Sequence, residues 1–179
     1  MTPFGRVRCR PNGARQNHPV ITVSTDGSCL RNPGGAIGWA WANHDGSSAS
    51  GGHASGTNQI AELMAVLEAI RSHPGDQPLV IQADSQYAIK CASVWVAGWK
   101  RKGWRTAAGG PVQNLALIQS IEAAIAERPG PVTFAWVRGH QGDQFNERAD
   151  ELAGIAARGV RDDGPAPVVI AEPELDVLF

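Results

Sequence analysis

Three strand-like segments follow one another from residue 19, and beyond residue 60 helical and strand-like patterns alternate. That order admits few folds. Strands in succession followed by helix–strand alternation bury their apolar faces as one mixed sheet with helices packed on it, an α/β architecture. The first segment, residues 19–28, alternates apolar and polar residues into ITVSTDGSC, and the Gly-, Pro- and Asn-rich stretch DGSCLRNPGG turns the chain. AIGWAWAN and SSASGGHASG read as the next two strands, joined by a turn over residues 44–47 in an antiparallel meander. Ile60, Leu63, Met64, Leu67 and Ile70 recur at helical spacing over residues 60–72, with Thr57 and Asn58 placed to cap that helix. LVIQA is a short buried strand, residues 85–95 begin a helix, and Pro111 opens an amphipathic helix over 111–127. VTFAWV supplies the last strand and residues 146–158 the last helix.

Carboxylates stand at the margins of these elements. Asp26 ends the first strand, Glu62 opens a helix in NQIAELMAVLEAI, Asp84 closes LVIQADSQ, and Asp150 lies in NERADELAGIAA. Any one of them has an ordinary explanation, since acids cap helices and suit the positive end of the helix dipole. Gathered together they repel: two unit charges at 4 Å cost about 4 kcal/mol at an effective dielectric near 20. A cluster of that kind persists only if protons or cations neutralise it. Paired divalent ions roughly 3.5–4 Å apart supply such charge in phosphodiester-cutting sites.

The local contexts of those acids carry a resemblance. TDGSC, the AEL that begins a helix, ADSQY after an apolar strand, and VRGHQGDQFNERADELA are together similar to bacterial type 1 ribonuclease H, in order and approximate spacing, over residues 19–159. The resemblance implies a ribonuclease H-like fold, with a five-stranded mixed sheet in the order 3-2-1-4-5, helices on both faces and a basic handle. It implies metal-binding carboxylates at Asp26, Glu62, Asp84 and Asp150, and a mobile catalytic histidine at His140. The implied activity is endonucleolytic hydrolysis of the RNA strand of an RNA–DNA hybrid, leaving 5′-phosphate and 3′-hydroxyl ends. Two Mg²⁺ ions, for which Mn²⁺ can substitute, are the implied cofactors; hard oxygen donors favour such ions over zinc. In this scheme one ion orients a water for in-line attack, the other stabilises the leaving oxygen, and Asp26 bridges both.

In WVAGWKRKGWRTAAGGPVQN, the tryptophans Trp95, Trp99 and Trp104 interleave with Lys100, Arg101, Lys102 and Arg105. Cations neutralise phosphates and tryptophans pack on sugars or bases, so the segment is expected to grip nucleic acid, with Trp95 and Trp99 partly in the core. It resembles the family's handle, although Gly109 and Gly110 stand where relatives often carry lysine and Ile118 where some carry tryptophan. A second polar set follows from the resemblance. Cys29, Asn32, Asn58 and Gln86 lie along the minor groove, where the 2′-hydroxyl distinguishes RNA from DNA, and Thr57 with Asn58 matches a pocket for a DNA phosphate. Gln59, Ile60 and Ala61 depart from the residues some relatives carry there.

Composition fits one core with modest tails: 179 residues, 42% hydrophobic. The net charge of −1 conceals its placement. Residues 1–17 carry Arg6, Arg8, Arg10 and Arg15 and no acid, and are expected to form a disordered basic extension to a domain over 18–159. Residues 160–179 begin as a Pro-rich acidic tail and end in the apolar tip ELDVLF, which loosely resembles peptides that dock on bacterial sliding clamps; folding back onto the domain is the simpler expectation. Cys9, Cys29 and Cys91 show no metal spacing, so a reduced cytoplasmic setting is expected, with Cys29 a small buried filler. The arginines near the start precede no apolar stretch, and no run spans a bilayer, so neither secretory signal nor membrane association is expected. A monomer is the expected form. Two other classes compete: a noncatalytic hybrid-binding module, which would lack one of the acids, and another polynucleotidyl transferase such as an integrase or Holliday-junction resolvase. The handle, RGHQG and NERADELA argue against the second.

Overall fold

The computed structural model describes residues 19–160 and 169–171; the basic N-terminal extension, Cys9 and the apolar tip lie outside the described residues. The elements are β1 (Ile21–Cys29), β2 (Ile37–Asn43), β3 (Ser48–His53), α1 (Asn58–Ser72), β4 (Leu79–Ala83), α2 (Gln86–Ile89), α3 (Val96–Arg101), α4 (Leu115–Glu127), β5 (Val132–Trp136), α5 (Gln144–Gly159) and β6 (Val169–Ala171). A π-helical stretch, Lys90–Trp95, joins α2 to α3. The sheet runs β5-β4-β1-β2-β3-β6, with β1, β4 and β5 parallel and β1, β2, β3 and β6 antiparallel to their neighbours.

Five strands take the expected order 3-2-1-4-5, and a sixth adds to it. Residues 169–171, from the segment expected to be tail, pair with Ser48–Ser50 on the outer edge of β3. An uncovered edge leaves backbone donors and acceptors unpaired, and the β-branched stretch beyond Pro167 can take them. The helix expected from Pro111 starts later. Pro111 is bridged to Arg105, and Asn114 adopts a left-handed conformation (φ 56°) before α4 begins at Leu115. Asparagine tolerates that conformation better than most residues, and its side chain bonds the Tyr87 hydroxyl at 3.1 Å.

Two glycines show how the helices cover the sheet. In the β1–β2 ladder Gly27 stands opposite Trp39 and Ser28 opposite Gly38, so the two glycines face opposite sides. A side chain at Gly27 would strike the backbone of Ala61 and Glu62 in α1; one at Gly38 would strike Ala153 and Ala157 in α5. Helices α1 and α5 therefore lie on opposite faces. The α1 side holds the large side chains, Trp39, Trp41, Leu63, Val66, Leu67, Ile70, Ile81, Ile118 and Ile121. Burying each contributes roughly 1.5–3 kcal/mol. The α5 side is tighter, because its inward stripe is Ala149, Ala153, Ala156 and Ala157. Small residues there let the helix backbone approach the strands. The caps fix both helix starts: the Thr57 hydroxyl accepts from the Ile60 N–H at 3.2 Å, and Asp143 accepts from Phe145 and Asn146. Among the described residues no helix is long and apolar enough to cross a membrane.

Candidate active site

Strands β1 and β4 run parallel, with Thr25 beside Ala83. Asp26 and Asp84, the next residue on each, thus stand side by side where the β1–β4 ladder stops, at the carboxyl end of β4, although β1 itself runs on to Cys29 against β2 rather than ending at Asp26 as expected. Glu62 reaches the same point from α1 because Gly27 has no side chain to hold that helix off the sheet. Ligand oxygens of Asp26, Glu62 and Asp84 all lie within 4.8 Å of one another. Asp26 and Glu62 are buried (7% and 6% exposed), whereas Asp84 is half-buried. Asp150 stands on the rim of the group, on α5, its side chain 48% exposed.

Burial and crowding act on these acids in the same direction. Burial, then the charge of Asp84, then that of Asp150, push the Asp26 carboxyl up to about 8, against the pull of the Gly27 N–H that donates to it at 2.7 Å. Burial and the charges of Asp26 and Asp84 hold Glu62 well above the usual carboxylate range, opposed by the Asn58 amide, which donates at 3.4 Å. Burial also raises Asp84, while His140 draws it down. Carboxyls so disposed require positive charge to ionise near neutrality.

His140 lies over this rim, its Nδ1 3.9 Å from Asp150 Oδ2, on a loop where it has φ 54°. Four contacts here were not foreseen in the sequence. A side chain at Gly139 would collide with Asp84 Oδ2, so glycine is what lets the loop pass beneath that carboxylate. The Trp136 indole N–H donates to the Asp84 backbone carbonyl at 3.0 Å. Glu147 accepts the Gly142 N–H at 3.0 Å. Asn58, expected as a cap residue and a nucleic-acid contact, also steadies Glu62, which its position four residues earlier on the same helix could have signalled.

Of the polar residues expected to contact nucleic acid, Asn32, Thr57 and Asn58 meet at the start of α1. The Asn58 N–H donates to Asn32 Oδ1 at 3.2 Å, and Thr57 caps the helix beside it. Cys29 is half-buried rather than the buried filler expected, because its thiol faces the Arg31 and Gly56 carbonyls at 3.3 and 3.9 Å at the mouth of the turn. Gln86 is exposed at the start of α2 and accepts from Lys90 Nζ at 3.4 Å. In the handle Trp99 and Trp104 pack against the core. Trp95 is 39% exposed, its ring 5.6 Å from that of Trp99 and 5.9 Å from Lys90 Nζ. Lys100 is not a free cation, since it pairs with Glu122 across on α4. Arg101, Lys102 and Arg105 are exposed, and Arg105 donates to the Gly109 carbonyl at 2.9 Å.

Against known proteins, the RNase H family model matches residues 18–158. The chain belongs to the RNase H family. It is an enzyme of the ribonuclease H class, a nuclease. It is 43% identical over 157 residues to the Ribonuclease H of Anaeromyxobacter dehalogenans (strain 2CP-C), covering 82% of this chain and 85% of that one. With the Ribonuclease H of Tropheryma whipplei (strain Twist) it shares 44% identity over 138 residues, 76% of this chain and 84% of the relative. Among solved structures it is similar to LC9-RNase H1, a type 1 RNase H with the type 2 active-site motif, with a TM-score of 0.67 at 29% identity, covering 86% of this chain and 79% of that one. The foamy viral protease-reverse transcriptase in complex with RNA/DNA hybrid shares the fold, with a TM-score of 0.68 at 18% identity over 89% of this chain and 23% of that one.

Proposed function

We propose that this chain is an endonuclease that hydrolyses the RNA strand of RNA–DNA hybrids with two Mg²⁺ ions, leaving 5′-phosphate and 3′-hydroxyl ends. The observation that carries the reading is the group Asp26, Glu62 and Asp84, whose oxygens converge within 4.8 Å in a setting that resists ionisation without added positive charge. All-oxygen donors fit a hard divalent ion, Mg²⁺ or Mn²⁺. When bound, such ions supply the charge that activates a water and steadies the leaving oxygen. Asp26, between its neighbours, would hold both ions; Glu62 and Asp84 would fix their positions, and Asp150 would complete one shell from the rim. His140, at the rim beside Asp150, moves a proton or helps displace product.

The surroundings support a hybrid as substrate. Cys29, Asn32, Thr57, Asn58 and Gln86 offer donors and acceptors to 2′-hydroxyls and a phosphate, while Trp95, Trp99, Lys100, Arg101, Lys102, Trp104 and Arg105 hold the DNA strand. The pairing of Lys100 with Glu122 leaves Arg101, Lys102 and Arg105 as the main cations for phosphate. The reading extends to a monomer at work in a reducing cytoplasm, within a domain over 18–159. Contact of the apolar C-terminal tip with a sliding clamp completes it, and equal recovery of full-length protein and a chain cut after Pro173 on immobilised clamp would remove that part.

The test is a set of end-labelled substrates: an RNA–DNA hybrid labelled on either strand, duplex DNA and duplex RNA. The expected result is Mg²⁺-dependent cutting of the RNA strand of the hybrid alone. Cutting of duplex DNA at a similar rate would overturn the substrate assignment.

A further inference from the structure

The loop carrying His140 has one close approach and one tether. Gly139 lies under the Asp84 carboxylate, and Gly142 donates its N–H to Glu147 on the first turn of α5. Between these points His140 (φ 54°) and Gly142 (φ 86°) both take left-handed conformations, which histidine does not adopt at no cost. The His140 carbonyl accepts from the side chain of its neighbour Gln141 at 3.1 Å, and the imidazole Nδ1 stands 3.9 Å from Asp150 Oδ2. Glu147 is the anchor on the far side. It sits three residues before Asp150 on the same helix, so α5 fixes both the acid of the rim and the tether of the loop that faces it.

We infer that Glu147 is a positioning residue for the reaction: by accepting the Gly142 N–H it sets where His140 stands over Asp84 and Asp150. A hydrogen bond to a carboxylate stabilises more than a neutral one, enough to bias a short loop between two positions. Helix capping alone is the competing role. Asp143 already caps α5 through Phe145 and Asn146, so loss of the Glu147 bond frees the loop and leaves the helix start in place. The acceptor is what matters, and glutamine supplies one too.

This inference rests on the nuclease reading, and its test separates the two. Steady-state cleavage of an RNA-labelled hybrid in Mg²⁺ is compared for wild type, Glu147→Ala, Glu147→Gln, His140→Ala and the Glu147→Ala, His140→Ala double variant. Glu147→Ala is expected to lower kcat about 3–10-fold with KM within about twofold, Glu147→Gln to stay within about twofold of wild type, and the double variant to match His140→Ala. Equal slowing by Glu147→Ala in both backgrounds, or no slowing at all, would overturn the inference, as would a glutamine variant as slow as the alanine one. Amide hydrogen exchange at Gly142 in the metal-free proteins needs no catalysis. It is expected to quicken at least about tenfold in Glu147→Ala and little in Glu147→Gln; unchanged exchange in the alanine variant refutes the tether even if no hybrid is cut, whereas absence of cutting by wild type refutes only the nuclease reading.

Discussion

Replacing Asp26 with asparagine should make the metal-free protein harder to unfold while disabling it. In the folded chain this carboxyl is raised from 3.8 to about 8, chiefly by burial and the charge of Asp84. Below about pH 4 both folded and unfolded forms are protonated, and the group costs nothing. As pH rises past 3.8 the unfolded chain ionises freely while the folded one holds its proton, so stability falls until pH reaches about 8. At 1.36 kcal/mol per pH unit the cost approaches about 4 kcal/mol at pH 7 and stays under about 2 at pH 5. Burying the asparagine amide group, which must shed its own water, offsets part of this and makes these ceilings. Asparagine keeps an oxygen for the Gly27 N–H and removes the charge. For a chain of this size each kcal/mol shifts Tm by about 2–4 °C, so the variant should melt roughly 4–10 °C above wild type at pH 7 in EDTA. Calorimetry at pH 7 and pH 5, with and without Mg²⁺, measures it. The gap should shrink by more than half at pH 5, and Mg²⁺ should raise the wild-type Tm more than the variant's. Equal melting of the two proteins at pH 7 without metal would refute the electrostatic reasoning.

Three further outcomes follow from other parts of the molecule. Gly38→Ala forces a methyl into the Ala153 and Ala157 backbone, and urea unfolding should show a loss of about 2–4 kcal/mol, with weaker Mg²⁺ binding because α5 carries Asp150. Arg101→Ala with Lys102→Ala should weaken hybrid binding with kcat nearly unchanged, and flatten the log–log salt dependence of binding by about 2, read by fluorescence anisotropy across a salt series. His140→Ala should slow turnover without abolishing it, since the acids that would hold the ions remain; a variant as fast as wild type in single-turnover cleavage removes the histidine from the mechanism.

The fold was legible where local pattern and burial agree. The alternation in ITVSTDGSC and the helical spacing of Ile60, Leu63 and Leu67 report their environments directly, because one buried face imposes one period. Asp84 could be placed because it directly follows β4, whereas Asp26 lies three residues before the end of β1 and Glu62 one turn into α1, so the strand end and helix start read from the sequence were each displaced by a few residues. What stayed hidden depends on partners far apart in sequence. Strand β6 answers an open edge more than a hundred residues earlier, and its three residues are too few to show a period. Lys100 looks like a free cation until α4 brings Glu122 to it. Pro111 resembles a helix start until its bridge to Arg105 is seen. The contacts of Trp136, Gly139 and Glu147 belong to a loop whose path no periodicity encodes.

The most direct measurement of the central claim is paired: cleavage rate and dissociation constant of an RNA–DNA hybrid for wild type and Asp26→Asn in Mg²⁺. The account predicts a fall in rate of at least about a thousandfold with hybrid affinity within a few-fold of wild type. An asparagine variant that cuts within about tenfold of the wild-type rate would contradict it.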